Sequence, residues 1–187
     1  MPGSFQDEDF VQDTLVEAWT LFRDDFVLYV IAGLLLVVVS IVSFGLLTGP
    51  MTVGFIKLVE KRRRGDEGTA TDVFDGFSQI GASLIASILI GLGVLIGILL
   101  LVLPGLLFGA AMAFTFQAIA IDDEPAIGAM ARSLSIIQDN LAISVVFLVI
   151  LLVLSSIGAA FLFGTLLTLP FCLILMTLAY HRLAPSA

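Results

Sequence analysis

No Asp, Glu, Lys or Arg occurs anywhere in residues 26–56, 76–121 or 140–181. These three stretches make up about two thirds of the chain, and all 8 basic and 16 acidic side chains fall between or beyond them. A soluble domain spreads its charge over its surface. Apolar runs well beyond ~18 residues cannot be soluble core helices without a large exposed apolar area. Residues 26–45 are dominated by Leu, Ile, Val and Phe, and a dozen such residues favour insertion into a bilayer by about 4–7 kcal/mol. The charged share of 13% is about half that of soluble domains. The expected class is therefore an all-α, polytopic membrane helix bundle in the cell (plasma) membrane.

Each apolar block is too long for one span. A helix rises ~1.5 Å per residue against a hydrocarbon core of ~30 Å, so forty-odd residues would make a single rod of about 60 Å. Each block should fold back where proline removes a helix hydrogen bond or glycine permits a turn. The candidate breaks are Gly45 with Gly49-Pro50, Leu103-Pro104-Gly105, and residues 164–170.

The blocks also share an entrance. Aligned on Phe22, Phe77 and Ile137, each has a large apolar residue three positions earlier (Trp19, Phe74, Leu134) and a proline at offset 28, 27 or 33. This reads as three copies of an amphipathic helix followed by a membrane hairpin, in one domain spanning 1–187. The expected order is an amphipathic helix at 8–25, hairpin 1 at 26–60, a cytoplasmic loop and helix at 61–80, hairpin 2 at 81–121, a cytoplasmic amphipathic helix at 122–140 and hairpin 3 at 141–181. Repeated hairpins keep every connection on one side. The cluster Lys57, Lys61, Arg62, Arg63, Arg64 marks that side as cytoplasmic. Six transmembrane helices with both termini in the cytoplasm follow. The alternative is five spans, in which the second half of block one is interfacial and the N-terminus lies outside. The chain opens with acidic residues where a signal peptide would carry Lys or Arg, so the first apolar segment is expected to stay.

The connecting segments have their own signals. In 8–25, Val11, Leu15, Ala18 and Phe22 follow helical spacing and Asp13, Glu17, Thr20 and Asp24 take the other face. The acidic face suits packing along the bundle better than attraction to anionic lipid. Thr69-Ala70-Thr71-Asp72 can cap a helix leading to Phe77. Asp122-Asp123-Glu124-Pro125 suits a helix start. Three consecutive acids supply too few converging oxygens for a cation cage. Residues 61–64 read first as a topology determinant and second as a binder of anionic headgroups.

The polar residues expected inside the membrane are mostly hydroxyls with one amide, among them Ser40, Ser83, Ser87, Thr115, Gln117, Ser144, Ser155, Thr165, Thr168 and Thr177, with no Asp, Glu, Lys or Arg of the kind that ion-coupled transporters place there. No catalytic, cofactor-binding or metal-ligating residue is assigned, no cofactor is expected, and the chain reads as a non-enzyme. The single Cys172 rules out an internal disulfide, and His181 beside Arg182 reads as an interfacial residue. Net charge −8 sets nucleic acid aside, and with only two lysines suits a halophilic or high-GC prokaryotic source. Small residues recur at four-residue spacing: Ser83, Ser87, Gly91; Gly93, Gly97; Gly105, Gly109, Ala113; Ala160, Gly164. Such rows serve packing inside the bundle, or a homo-oligomer or gated path.

The plan resembles six-helix prokaryotic membrane families related to the membrane domain of some glycerophosphodiester phosphodiesterases. The features that carry the resemblance are Gly49-Pro50-Met51-Thr52-Val53-Gly54, Asp72-Val73-Phe74-Asp75-Gly76-Phe77, the Leu103-Pro104-Gly105 break and Ala131-Arg132-Ser133-Leu134. The resemblance implies a membrane domain without catalytic residues of its own, and the soluble phosphodiesterase barrel is absent from this sequence. The expected role is an accessory or scaffold domain that touches membrane lipids and assembles with a membrane or cytoplasmic protein partner. The alternative is a non-ion-coupled handler of lipids or small neutral solutes. An intramembrane enzyme ranks last for want of catalytic groups.

Overall fold

The computed structural model describes residues 4–100, 102–160 and 164–184. Among them the chain forms nine α-helices and one 3₁₀ segment, with no strand. In order these are α1 (Ser4–Asp24), α2 (Phe26–Val42), α3 (Thr48–Arg63), the 3₁₀ segment (Ala70–Gln79), α4 (Ile80–Leu100), α5 (Val102–Ala111), α6 (Thr115–Asp122), α7 (Ala126–Asp139), α8 (Leu141–Ala160) and α9 (Gly164–Leu183).

Each apolar block folds back on itself. In the first, Phe44 and Gly45 take positive φ values of 51° and 83°, and Pro50 lies in the first turn of α3, where a missing N–H costs no helix bond. In the second, α4 ends at Leu100 and α5 begins at Val102, so the expected break at Leu103-Pro104-Gly105 lies inside α5 and the residue between the helices lies outside the described ones; the two helices approach so closely that a Cβ on Gly97 would sit 2.5 Å from the Gly105 Cα. In the third, α8 ends at Ala160 and α9 begins at Gly164, so residues 164–170, where a break is expected, are helical, and 161–163 lie outside the described residues. Pro170 instead stands inside α9. Its ring abuts α2, where a Cβ on Gly33 would meet Pro170 Cγ at 2.7 Å.

The small-residue rows are used inside the bundle. A Cβ on Gly49 would fall 1.9 Å from Ser87 Oγ, one on Gly93 2.2 Å from the Phe108 ring, and one on Gly164 2.4 Å from the Gly158 carbonyl. Gly91 meets nothing, and the Ala160 side chain lies outside the described residues. The tightest contact joins α3 to the 3₁₀ segment. A Cβ on Gly54 would lie 1.7 Å from the Val73 carbonyl oxygen, and one on Gly76 1.9 Å from that of Pro50. The two longest motifs of the family resemblance therefore meet backbone to backbone.

Among the described residues, four helical stretches are long and apolar enough to cross a membrane: Ala70–Leu100, Pro104–Asp122, Leu141–Gly158 and Gly164–Leu183. The count is five if α1 and α2, bent by 90° at their junction, are taken as one span. This differs from the expected six. With 17 residues α2 is short, and α3 has 16 with three basic residues in its last turn. The physical reason lies in the packing. Residues from Gly49 to Glu60 of α3 are almost all buried, so neighbouring helices cover it and its sequence need not be apolar all round. By contrast α4 and α8 bury few residues and expose rows of Leu, Ile and Val.

The 3₁₀ segment starts as the sequence suggests. The Asp72 carboxylate accepts from the Thr69 backbone N–H at 3.2 Å and from the Thr69 hydroxyl at 2.5 Å, satisfying donors at the first turn. Pro125 is the residue before α7 rather than its first helical residue. One break was not anticipated, at residues 112–114 between α5 and α6. Buried Ser133 of α7 fills it, accepting from the Phe114 N–H at 3.0 Å and donating to the Ala111 carbonyl at 2.8 Å.

Candidate functional site: the charged end of the bundle

The ends of α3, α6 and α9 and the starts of α2, α4 and α8 come together, and polar side chains close each hairpin at its mouth. Asp25, just before α2, accepts two bonds from the Arg62 guanidinium near the end of α3, at 2.8 and 2.6 Å. Gln79, just before α4, donates to the Ile119 carbonyl at 2.7 Å and to the Asp123 carboxylate after α6. Asn140, just before α8, donates to the Leu183 carbonyl at the end of α9 at 3.4 Å. Counted from Phe22, Phe77 and Ile137, these latches stand at +3, +2 and +3.

A second layer of bonds ties the hairpins to one another. Glu60 of α3, 6% exposed, holds His181 of α9 at 2.6 Å and Arg63 at 3.2 Å. Asp122 of α6 accepts from Arg132 of α7 at 2.8 Å and from the Tyr180 hydroxyl of α9. Arg182 of α9 reaches α1, donating to Glu17 at 2.5 Å and Thr14 at 2.9 Å, with its guanidinium 5.7 Å from the Phe10 ring centre. Lys61 binds Asp72 at 2.7 Å. The hydrogen bond from Lys61, followed by that from Thr69, holds the Asp72 carboxyl below its ordinary pKa, and the bond to Asp72 raises that of Lys61. The bonds from Asp25 likewise raise Arg62. Charge-assisted bonds of this kind are stronger than neutral ones.

The three acids considered for a cation part company: Asp122 goes to Arg132 and Tyr180, Asp123 to Gln79, and Glu124 lies beside Gly128. Of the basic run, Arg62, Arg63 and Lys61 are drawn into ion pairs, and Arg64 reaches Glu60 at 3.7 Å. His181, read from the sequence as interfacial, is instead a partner of buried Glu60. The spacing of one His and one Glu 121 positions apart carries no signal for that pair.

Two cavities among the described residues bear on the chemistry of the bundle. One, of about 330 Å³, opens between the C-terminal half of α3 and the end of α6; Lys57, Glu60, Lys61, Arg64, Asp66 and Asp123 line it, with Ala120 and Ile121 as its apolar wall. Lys57, Lys61 and Arg64 share one face of α3 by their spacing, and Lys57 donates to the Ser78 hydroxyl at 2.9 Å. The other, of about 260 Å³, lies between α8 and α9 against Ser155, Thr165, Thr168, Leu169, Cys172 and Leu173.

No curated protein and no solved structure matches the chain. A family model does, over residues 11–186, and it is described only as a domain of unknown function; nothing in that match ties the chain to the phosphodiesterase membrane domains. With nearly its whole length inside that match, the chain belongs to the DUF7847 family.

Proposed function

We propose that the chain is a multi-pass cell-membrane domain of six spanning helices, built as three repeated hairpins with their connections and both termini in the cytoplasm, and that it serves as a non-catalytic scaffold for a partner protein. The observation that carries this reading is the latching of all three hairpin mouths at one end. Because Arg62 meets Asp25, α3 returns to the level at which α2 begins, and α3 can complete a span although it is short and charged at its tip. The similar offsets of Asp25, Gln79 and Asn140 support the repeat, as does the bond each makes to the returning helix of its own hairpin. The kinship with phosphodiesterase membrane domains belongs to this proposal and brings no activity with it.

The scaffold reading rests on what the latched end offers outward. Trp19, Phe74 and Leu134, at the same place in each amphipathic segment, are 56%, 41% and 38% exposed. Large apolar side chains fixed on a rigid, ion-paired base suit a docking or headgroup-level anchor. Phe22 does not belong with them, being 5% exposed and packed edge-on against Phe171 at 5.8 Å. The test is affinity purification of the tagged chain after mild extraction, with Trp19→Gln, Phe74→Gln and Leu134→Gln compared with the parent. A stoichiometric partner that is lost in these variants is expected. A partner that stays bound in all three, or none with the parent, overturns the scaffold role. The largely apolar cavity between α8 and α9, with Ser155, Thr165 and Thr168 in its wall, favours one second reading, the handling of lipids or small neutral solutes. Vesicles containing the protein that leave labelled lipid and solute unmoved would remove it.

A further inference from the structure

We propose that the cavity between α3 and α6 binds a phosphate group, presented by the headgroup of a membrane phospholipid, with Lys57 and Arg64 as its ligands. The inference rests on the membrane placement above and not on the scaffold role. Three observations carry it. First, three cations, Lys57, Lys61 and Arg64, line one cavity from one helix face. Second, two of the three acids in the same wall, Glu60 and Asp123, are already engaged, and the third, Asp66, is seen bonded only through its backbone. Glu60 is held by His181 and Arg63, which leaves Arg64 only a long contact to it at 3.7 Å, and Asp123 is held by Gln79. The Lys57 amine, by contrast, bonds to a hydroxyl oxygen that itself donates to the Asp75 carbonyl, and so keeps further N–H groups for an incoming oxygen. Third, the cavity lies at the depth of the latched mouths, where phospholipid phosphates would reside if the hairpins cross the bilayer, and Ala120 and Ile121 supply an apolar wall for the glycerol end. Arg64 is largely exposed and swings on a flexible stem, so closing onto a phosphate needs no movement of the helices. Lys61, fixed by Asp72, contributes field rather than a direct bond.

The experiment uses the full chain, purified in a phosphate-free detergent at fixed ionic strength. Its unfolding temperature and its retention of lipid in native mass spectrometry are followed on titration with phosphatidylglycerol, with diacylglycerol and with inorganic phosphate. Phosphatidylglycerol is expected to bind and stabilise, diacylglycerol to do neither, and Lys57→Gln and Arg64→Gln each to weaken binding by roughly tenfold, the loss of one charge-assisted bond. Lys57→Arg should retain it, which separates loss of binding from loss of fold. Arg23→Gln, a charge removed from an exposed site elsewhere, should leave binding unchanged. Inorganic phosphate that binds with the same dependence on Lys57 supports the site and names a soluble phosphate as its source. Equal binding of phosphatidylglycerol by the parent and both Gln variants, equal loss in Arg23→Gln, or diacylglycerol binding as well as phosphatidylglycerol, overturns it. The outcome is independent of partner capture, so this site and the scaffold role fail separately.

Discussion

At the scale of single residues the fold depends on a few positions with no room to change. Gly54 and Gly76 face backbone atoms at distances that no Cβ can occupy. Gly54→Ala and Gly76→Ala are each expected to cost upwards of about 1–3 kcal/mol, the range for overpacking, whereas Gly91→Ala, facing open space, should be neutral. Thermal unfolding of the purified chain, followed by the loss of its monodisperse elution, checks this, and equal midpoints for Gly54→Ala and Gly91→Ala would refute it. Ser133 bridges the break between α5 and α6, so Ser133→Ala strands a buried N–H and carbonyl at a cost of about 1–3 kcal/mol, while Ser135→Ala on the exposed face should match the parent in the same assay. Asp72 sets a pH dependence. Its folded pKa lies below the ordinary value, so its contribution is complete above the unfolded aspartate value near ~3.9 and is lost as pH falls through the folded one. Protease nicking of the 64–69 loop should therefore rise on acidification through that window in the parent, and Asp72→Asn should nick readily at every pH. The Thr69–Asp72 cap was legible in the sequence because capping is local. The Glu60–His181 pair and the Ser133 bridge were not, because each joins residues that only the tertiary fold brings together.

At the scale of elements, hydrophobic periodicity and glycine–proline punctuation located α1, the 3₁₀ segment, α7 and the turn of block one. They failed where packing overrides local preference. Pro170 reads as a break, yet it stands within α9 because Gly33 of α2 leaves space for its ring. The α3 helix reads as a doubtful span because its apolar content is modest, yet it is the most enclosed helix of the bundle. Its attachment depends on Arg62 and Asp25, partly buried and bonded through two nitrogens. A double-mutant cycle of Arg62→Gln and Asp25→Asn should give a coupling of about 1 kcal/mol or more, above that of ordinary exposed pairs. A coupling indistinguishable from that of the exposed pair Arg23 and Asp24 would mean that the latch contributes nothing to holding α3.

At the scale of the whole molecule, the segregation of charge in the sequence and the gathering of polar side chains in the structure describe one arrangement. The uncharged blocks run away from a common charged end and return to it, and the bonds at Asp25, Gln79 and Asn140 close each return. Family membership names no activity, so the claim on which the account depends is topological: the tip of hairpin 1, at Phe44, lies across the membrane from the loops at Asp66 and Glu124. The direct measurement is labelling of single cysteines, placed at Phe44, Asp66 and Glu124 in a Cys172→Ser background, with a membrane-impermeant thiol reagent in intact cells and in inverted vesicles. Six spans predict that Phe44→Cys labels from outside and that Asp66→Cys and Glu124→Cys label only from the cytoplasmic side. Labelling of Phe44→Cys and Asp66→Cys from the same side would make α3 interfacial and contradict the account.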